Sequence, residues 1–427
     1  MAVNVLIVGS GGREHALAKK LSESSRLGKL EVAPGNAGTS QLANNINLAA
    51  TDTEGIIKHA KQNDSFIVVG PDKPLANGLV DACQAEGLRV FGPTQKAAEI
   101  EWSKAWAKEL MRRANIPTAS YQVFDRFHRA QRYIWEHGAP VVIKASGLAA
   151  GKGAHTCWTI SEADQVLRQM MVLGEYGESG RQVVIEEFLD GPEVSVHVLS
   201  DGQHHQLWPL AQDHKRLTDN PKSPNTGGLG TIAPWPATNS QLVEQIDEQV
   251  VRPALSALAA QGRPFSGCLF PGLKLTPQGP QVLEFNARFG DPETQVFMRL
   301  LKTDLLDLLE ACVDGCLDQV PVEWHSGFAA CVVLASAGYP GAPGYPRLPI
   351  SGLDKAEAIP GVVVFQAGTE FDSGCLRTAG GRVLGVTAVG RSLEQALTNA
   401  YWAAGLIHFD GMYYRRDIGK EALSLGL

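Results

Sequence analysis

Residues 281–295 read QVLEFNARFGDPETQ, and the alternation in the first half of this stretch predicts a β-strand. With a period of two, Val282, Glu284, Asn286 and Arg288 fall on one face. Leu283, Phe285 and Ala287 fall on the other, toward a core. Two oxygen-bearing side chains two residues apart, beside a guanidinium, suit a hard cation that bridges phosphate oxygens. Gly290-Asp291-Pro292-Glu293 then reads as a helix start, with Asp291 at the N-cap and Pro292 at the first helical position. A strand would thus deliver a polar row to the positive end of a helix, where anions are held. An edge strand with a solvated face, followed by an ordinary capped helix, has the same spacing, so the weight falls on the rest of the chain.

The 427 residues predict two to four domains. Lys and Arg number 38 against 45 Asp and Glu, a net charge of −7 that argues against a nucleic-acid-coating surface. The seven cysteines are odd in number and scattered, and only Cys312 and Cys316 are close, without a zinc-ligand pattern. They read as reduced core thiols of a cytoplasmic protein. The start, MAVNVLIVGSGG, is an apolar strand meeting glycines, with no signal-peptide character. No apolar run approaches the roughly 18 residues of a membrane span. Neither nucleic acid nor a membrane is therefore an expected partner.

Strands alternating with helices up to about residue 95 predict a small parallel α/β domain. Val3–Val8 runs into Gly9-Ser10-Gly11-Gly12 and a helix near Arg13, a turn whose backbone N–H groups can approach a phosphate or carboxylate. A strict dinucleotide fingerprint is absent, because Glu14 stands at its third glycine. Ser103 reads as the cap of a helix that begins at Lys104. A strand over residues 140–145 gives Val142 and Lys144 one face, and Gly147-Leu148-Ala149-Ala150-Gly151-Lys152-Gly153 follows. This resembles a P-loop but is one residue short before the GK pair, and Gly153 replaces the magnesium-binding Ser/Thr. Small residues here suit a mobile loop that folds over a triphosphate, with Lys152 as a point charge. Exposed backbone after the strand from Val183, near Glu187 to Leu189, could meet an adenine edge, and Glu193 ribose hydroxyls. Asp213-His214-Lys215-Arg216 gathers an acid, an imidazole and two cations ahead of the glycine-rich Pro224-Asn225-Thr226-Gly227-Gly228. From about residue 326 shorter strands and a helix capped by Ser392 predict a separate small α+β domain.

In this order, GGREHA (11–16), APGNAG (33–38), VIKASGLAAGKG, IEEFLDG, QDHKR, PNTGGLG, EFNARFGDPETQ, GYPG, AGT, GGRVL and RRDIG resemble the glycinamide ribonucleotide synthetase (phosphoribosylamine–glycine ligase) family of the ATP-grasp superfamily. The resemblance covers nearly the whole chain and implies an ATP-grasp fold. Its expected parts are an N-terminal parallel α/β domain (1–102), an ATP-grasp region (103–325, lid about 120–190) and a C-terminal α+β domain (326–427). It further implies ATP-dependent joining of glycine to 5-phosphoribosylamine through a glycyl phosphate, in purine biosynthesis, by a monomer or weak homodimer.

Carried over by motif, Glu284 and Asn286 would hold magnesium or manganese. Lys104, Lys144, Gly147, Gly151, Lys152 and Gly153 would surround the ATP phosphates, Glu186, Glu187, Phe188 and Leu189 would read adenine, and Glu193 would take the ribose. Arg288 would meet the transferred phosphate or the glycine carboxylate. Asp213, His214, Lys215, Asn225, Thr226 and Gly227 would line the acceptor side, with Asp291 and Glu293 orienting the amine. Gly11, Gly12, Arg13, Gly35 and Asn36 would hold the acceptor phosphate. The chain departs from the family pattern at Trp102, Ser146, residues 220–223, Leu229 and Gln366, none of them a proposed phosphate lysine or metal ligand. Another ATP-grasp carboxylate–amine ligase would share the metal pair and lysines but not DHKR and PNTGG together with GGREHA. A non-catalytic nucleotide-binding homologue is disfavoured by the intact Glu284, Asn286, Lys104, Lys144 and Lys152.

Overall fold

The run VNVLIVG has no polar alternation because both faces of its strand are covered. Val5 and Ile7 belong to one core with Phe66 and Val68, whereas Leu6 and Val8 belong to another with Ile67 and Val69. Such double burial is the signature of a parallel sheet between helices. In the computed structural model, which describes residues 2–149, 151–220, 222–341 and 344–425, the sheet runs Asn44–Asn45, Leu27–Pro34, Val3–Gly9, Ser65–Val69, Val90–Phe91. All four pairings are parallel. Ala150 of the glycine-rich loop and Pro221 of the 220–223 segment lie outside the described residues.

The segment expected as the lid holds an antiparallel sheet in the order Tyr121–Phe124, Val183–Glu187, Val141–Ala145, Ala154–Cys157. Helices Phe127–His137 and Ile160–Met171 supply Ala130, Ile134, Ala163 and Leu167 to one core with Val141, Ile143 and Ile185. That satellite core is distinct from those of the larger domains, so the lid is stabilised largely by its own packing. A central antiparallel sheet is built around the long strand Ser266–Thr276, which pairs with Glu193–Ser195, Val198–Asp201 and Gly279–Asn286.

The last sheet crosses the boundary drawn at residue 326 from the sequence. Its order is Gln212–Asp213, Gly230–Ala233, Phe328–Ala335, Arg382–Gly390, Val362–Gln366, so two strands come from the ATP-grasp region. The DHKR segment is thereby anchored on the C-terminal domain. Helix Leu393–Leu406 covers this sheet, with Ser392 Oγ accepting from the Gln395 amide as its sequence suggested.

Strand Gly279–Asn286 is not regular. Gly272 pairs with Glu284 and Leu273 with Val282, so Leu283 is an extra residue in a β-bulge. Val282 therefore joins Phe285 and Ala287 in the core, and Leu283 turns toward the cavity with Glu284. The sequence expectation is reversed at both positions, because period-two alternation holds only where the ladder is unbroken.

Candidate active site

A cavity of about 720 Å³ lies between the lid and the central sheet, large enough for a nucleotide and a small co-substrate. The bulge exposes the Leu283 carbonyl, which accepts from Lys144 Nζ at 2.8 Å. Lys144 also meets Glu186 at 2.9 Å, and Lys108 meets the same carboxylate at 3.1 Å. Glu186 is thus a buried counter-charge for two lysines. Lys104 opens the helix capped by Ser103 and donates to Gly147 O at 3.4 Å, with its pKa lowered by burial. Trp102 turns away, its indole N–H on Gln95 O at 3.4 Å. Phe188 and Leu189 line the cavity just beyond strand Val183–Glu187, beside Trp158.

Glu284 is the electrostatic centre. Burial opposes its ionisation, but Lys215, Lys104 and Lys144 outweigh burial and bring its carboxyl down to about 2. Asn286 donates its amide N–H to Phe270 O at 3.2 Å, which fixes its oxygen on the side where Arg288 contacts it at 3.1 Å. An ionised carboxylate and an oriented amide oxygen form a hard donor pair, which fits a divalent metal ion. Arg288 pairs with Glu101 at 3.0 Å, and the second Glu101 oxygen accepts from the Ala287 amide at 2.8 Å.

Several residues named from the sequence stand elsewhere. Asp291 does not cap the helix Glu293–Leu300, whose flanking residue is Pro292 without a side-chain cap. Its carboxylate instead accepts from the Arg13 amide at 3.4 Å, at the start of helix Gly12–Leu21, and from Gln295 at 2.8 Å, with Arg382 3.6 Å away. A helix N-terminus and a guanidinium both favour the negative charge placed there. The glycine turn given to a substrate phosphate therefore already faces an internal carboxylate, and Gly11 N donates to Glu14 at 2.5 Å. Arg13 points inward to Phe289 O at 3.1 Å. A Cβ on Gly12 would lie 2.5 Å from Gln295, so this glycine permits close packing.

His214 uses both ring nitrogens structurally. One meets Gly230 O at 3.1 Å, and the other accepts from the Gly419 amide at 3.0 Å. Burial and Arg415 lower its pKa to about 4, so the imidazole is neutral and has no free nitrogen for acid–base work. Glu293 is buried against Ser195 Oγ at 2.8 Å. Thr226 donates to Lys215 O, and Gly227 is held by Tyr339 and Arg382, so both support the loop while Asn225 lines the cavity. Glu193 pairs with Lys215 at 2.8 Å. Gly151 and Gly153 line the cavity, but Lys152 reaches the C-terminal domain, donating to Pro340 O at 2.8 Å.

Asp213 remains in the cavity wall. One of its oxygens is buried without a hydrogen-bond partner, and burial with the nearby Glu293 charge pushes its pKa well up. Lys215 has the opposite bias, because Glu193, Glu284 and Asp213 overcome the burial that disfavours its charge.

A second cavity, about 730 Å³, joins the first and last domains. Gly11, Gly35 and Asn36 line it, facing Ala367-Gly368-Thr369, with Asp291, Tyr339 and Arg382 at the side nearest the first cavity's loops. Asn36 is clamped, its amide donating to Ser10 O at 2.8 Å and Gln366 O at 2.9 Å.

The chain matches family models described as the phosphoribosylglycinamide synthetase N domain over residues 3–101, ATP-grasp (A) domain over 102–294 and C domain over 329–421. It belongs to the phosphoribosylglycinamide synthetase family. A phosphoribosylamine–glycine ligase of Rhodopirellula baltica is 45% identical over 98% of each chain, and one of a Nostoc species 47% identical over 99% of this chain and all of the other. The crystal structure of a phosphoribosylamine–glycine ligase from Thermotoga maritima superposes with a TM-score of 0.83 at 33% identity, covering 97% of this chain and 100% of that one.

Within this phosphoribosylglycinamide synthetase fold, sequence reading missed Glu101, Arg382 and Tyr339. Glu101 carries a weak signal, an acid one turn before a capped lysine helix. Tyr339 and Arg382 lie in the family motifs GYPG and GGRVL, but nothing local assigns them a role, since their partners at Gly227 are 112 and 155 residues away. Gln366, a departure from the family pattern, bonds Thr369 at 3.0 Å, and its backbone amide donates to His15.

Proposed function

We infer that this chain joins glycine to 5-phosphoribosylamine at the expense of ATP, giving glycinamide ribonucleotide, ADP and phosphate. The observation that carries the reading is the cluster of Lys104, Lys144 and Lys215 around an ionised Glu284, opposite the backbone of Phe188–Leu189, in a chain of this family. In the first step the glycine carboxylate attacks the γ-phosphorus, and ADP leaves with the bridging oxygen. In the second, the ribosyl amine attacks the acyl carbon, phosphate leaves, and the nitrogen gives up a proton.

Adenine would sit against Trp158, Phe188 and Leu189, with Lys104 and Lys144 on the phosphate oxygens. Arg288, pre-oriented by Glu101, would receive the glycine carboxylate or the transferred phosphoryl group, because its fork matches a two-oxygen anion. A magnesium or manganese ion held by Glu284 and Asn286 would neutralise charge on the phosphate oxygens. Asp213, buried with an unpartnered oxygen, is the candidate to take the amine's proton. The acceptor would occupy the second cavity, where Asp291 would meet ribose hydroxyls or the amine. Closure of the lid keeps water from the acyl phosphate. We also propose that the protein works in the cytoplasm as a monomer or weak homodimer. Seven free thiols suit a reducing compartment, and among the described residues no helix is long and apolar enough to cross a membrane.

The test is ADP release in the presence of ATP and magnesium, with glycine and freshly generated phosphoribosylamine supplied singly and together. Release coupled to glycinamide ribonucleotide only when both are present is expected. Equal release without glycine, or with other amino acids in its place, would sink the assignment.

A further inference from the structure

Lys152 stands in the glycine-rich loop of the lid, yet its ammonium belongs to the last domain. It donates to Pro340 O at 2.8 Å and lies 5.6 Å from the centre of the Tyr339 ring, a hydrogen bond joined to a cation–π contact. Tyr339 has two further attachments. Its hydroxyl accepts from the Gly227 amide at 2.9 Å, and its ring lines the second cavity. Arg382 closes the same circuit, donating to Gly227 O and Asp291 O at 2.6 Å each while lining that cavity. Gly151 packs on Gly227 from the lid side: a Cβ on Gly151 would lie 3.5 Å from the Gly227 Cα. One aromatic side chain therefore touches the lid lysine, the loop between the cavities and the space of the second cavity.

We propose that Lys152 and Tyr339 are positioning residues that tie closure of the glycine-rich loop to occupancy of the second cavity. The inference rests on reading that cavity as the acceptor site. An occupant packed against Tyr339 restricts the ring, and the restricted ring holds both Lys152 and Gly227. Loop closure and acceptor binding then favour each other by the same factor, as linkage requires. The chemistry gives the coupling a use. An acyl phosphate formed beneath an open loop is lost to water, whereas a loop held shut from the acceptor side protects it while its nucleophile is present.

Lys152 is itself a tryptic cleavage site, so the loop reports its own docking. The full-length protein would be treated briefly with trypsin, alone and with glycinamide ribonucleotide, and cleavage after Lys152 followed by mass spectrometry beside the melting temperature. Glycinamide ribonucleotide should slow cleavage by about fivefold or more, within the usual range of coupling between sites. Tyr339→Leu should remove that protection, raise KM for phosphoribosylamine more than KM for ATP, and increase the ADP released per product formed. Tyr339→Phe, which keeps the ring beneath Lys152, should retain part of the protection. If Tyr339→Leu fails to fold, Lys152→Gln should give the same excess of ADP over product. A raised melting temperature with unchanged cleavage after Lys152 would overturn the coupling and leave the acceptor reading intact. No change in either would overturn the acceptor reading and the coupling with it.

Discussion

His15 offers a test of how the first and last domains are joined. The ring is buried, 6% exposed, and its Nδ1 accepts from the backbone amide of Gln366 at 2.8 Å. An amide can only donate, so this nitrogen must be unprotonated in the folded protein. Burial, helped by the charge of Lys19, lowers the pKa from 6.5 to about 4. The unfolded chain consequently binds more protons than the folded one between these values, and folding weakens as pH falls from about 6.5 toward 4. At pH 5 the lost stability is about 2 kcal/mol relative to neutral pH, from about 1.4 kcal/mol per pKa unit of difference. His15→Asn keeps an acceptor for the Gln366 amide but cannot titrate. It should cost about 1 kcal/mol at every pH for imperfect filling, and should remove about 2 kcal/mol of the destabilisation between pH 7 and pH 5. Urea unfolding of both proteins at the two pH values, followed by tryptophan fluorescence, gives the difference of differences. His197 and His214 contribute equally to both proteins and cancel. Parallel losses of stability in wild type and variant would refute the assigned protonation state.

Glu284→Ala should lower glycine-dependent ADP release by about two to three orders of magnitude, the scale of losing one preorganised charged group. Its melting curve should remain cooperative, and turnover retained at the wild-type level whatever the magnesium concentration would mean that this carboxylate is not a metal ligand. Glu186→Gln leaves Lys108 and Lys144 without their shared counter-charge and should destabilise the lid by about 3 kcal/mol or more, read as faster hydrogen exchange in Val183–Glu187 while the parallel sheet is unaffected.

Local chemistry was legible in the sequence because it acts over a few residues. Ser103 and Ser392 cap their helices as read, since an N-cap needs only the amide three positions on. The alternation of strands and helices up to about residue 95 announced the parallel sheet, since each strand–turn–helix unit is itself local. Glu284, Asn286, Lys104, Lys144 and Arg288 were found from spacing and family resemblance, and the fold brings them to one cavity. What escaped depends on partners far along the chain. Asp291 reads as a cap until the amide of Arg13, 278 residues away, competes for it. His214 reads as a wall of the acceptor side until Gly419 takes its second nitrogen. Lys152 reads as a phosphate ligand because nothing nearby reveals Pro340 as its acceptor.

The bulge at Leu283 makes the length of the strand, and not only its lettering, part of the chemistry. Val282 and Phe285, three positions apart, both belong to the core, while Leu283 and Glu284 between them line the first cavity. Removing one residue there would restore an unbroken ladder with Gly272, a tidier sheet by every local measure. It would also leave Val282 directly followed by the carboxylate, with no spare carbonyl for Lys144 to grip. Single-residue deletions in this strand should therefore be tolerated by the fold more readily than by catalysis, so the irregular pairing marks where regular structure has been given up for reactivity.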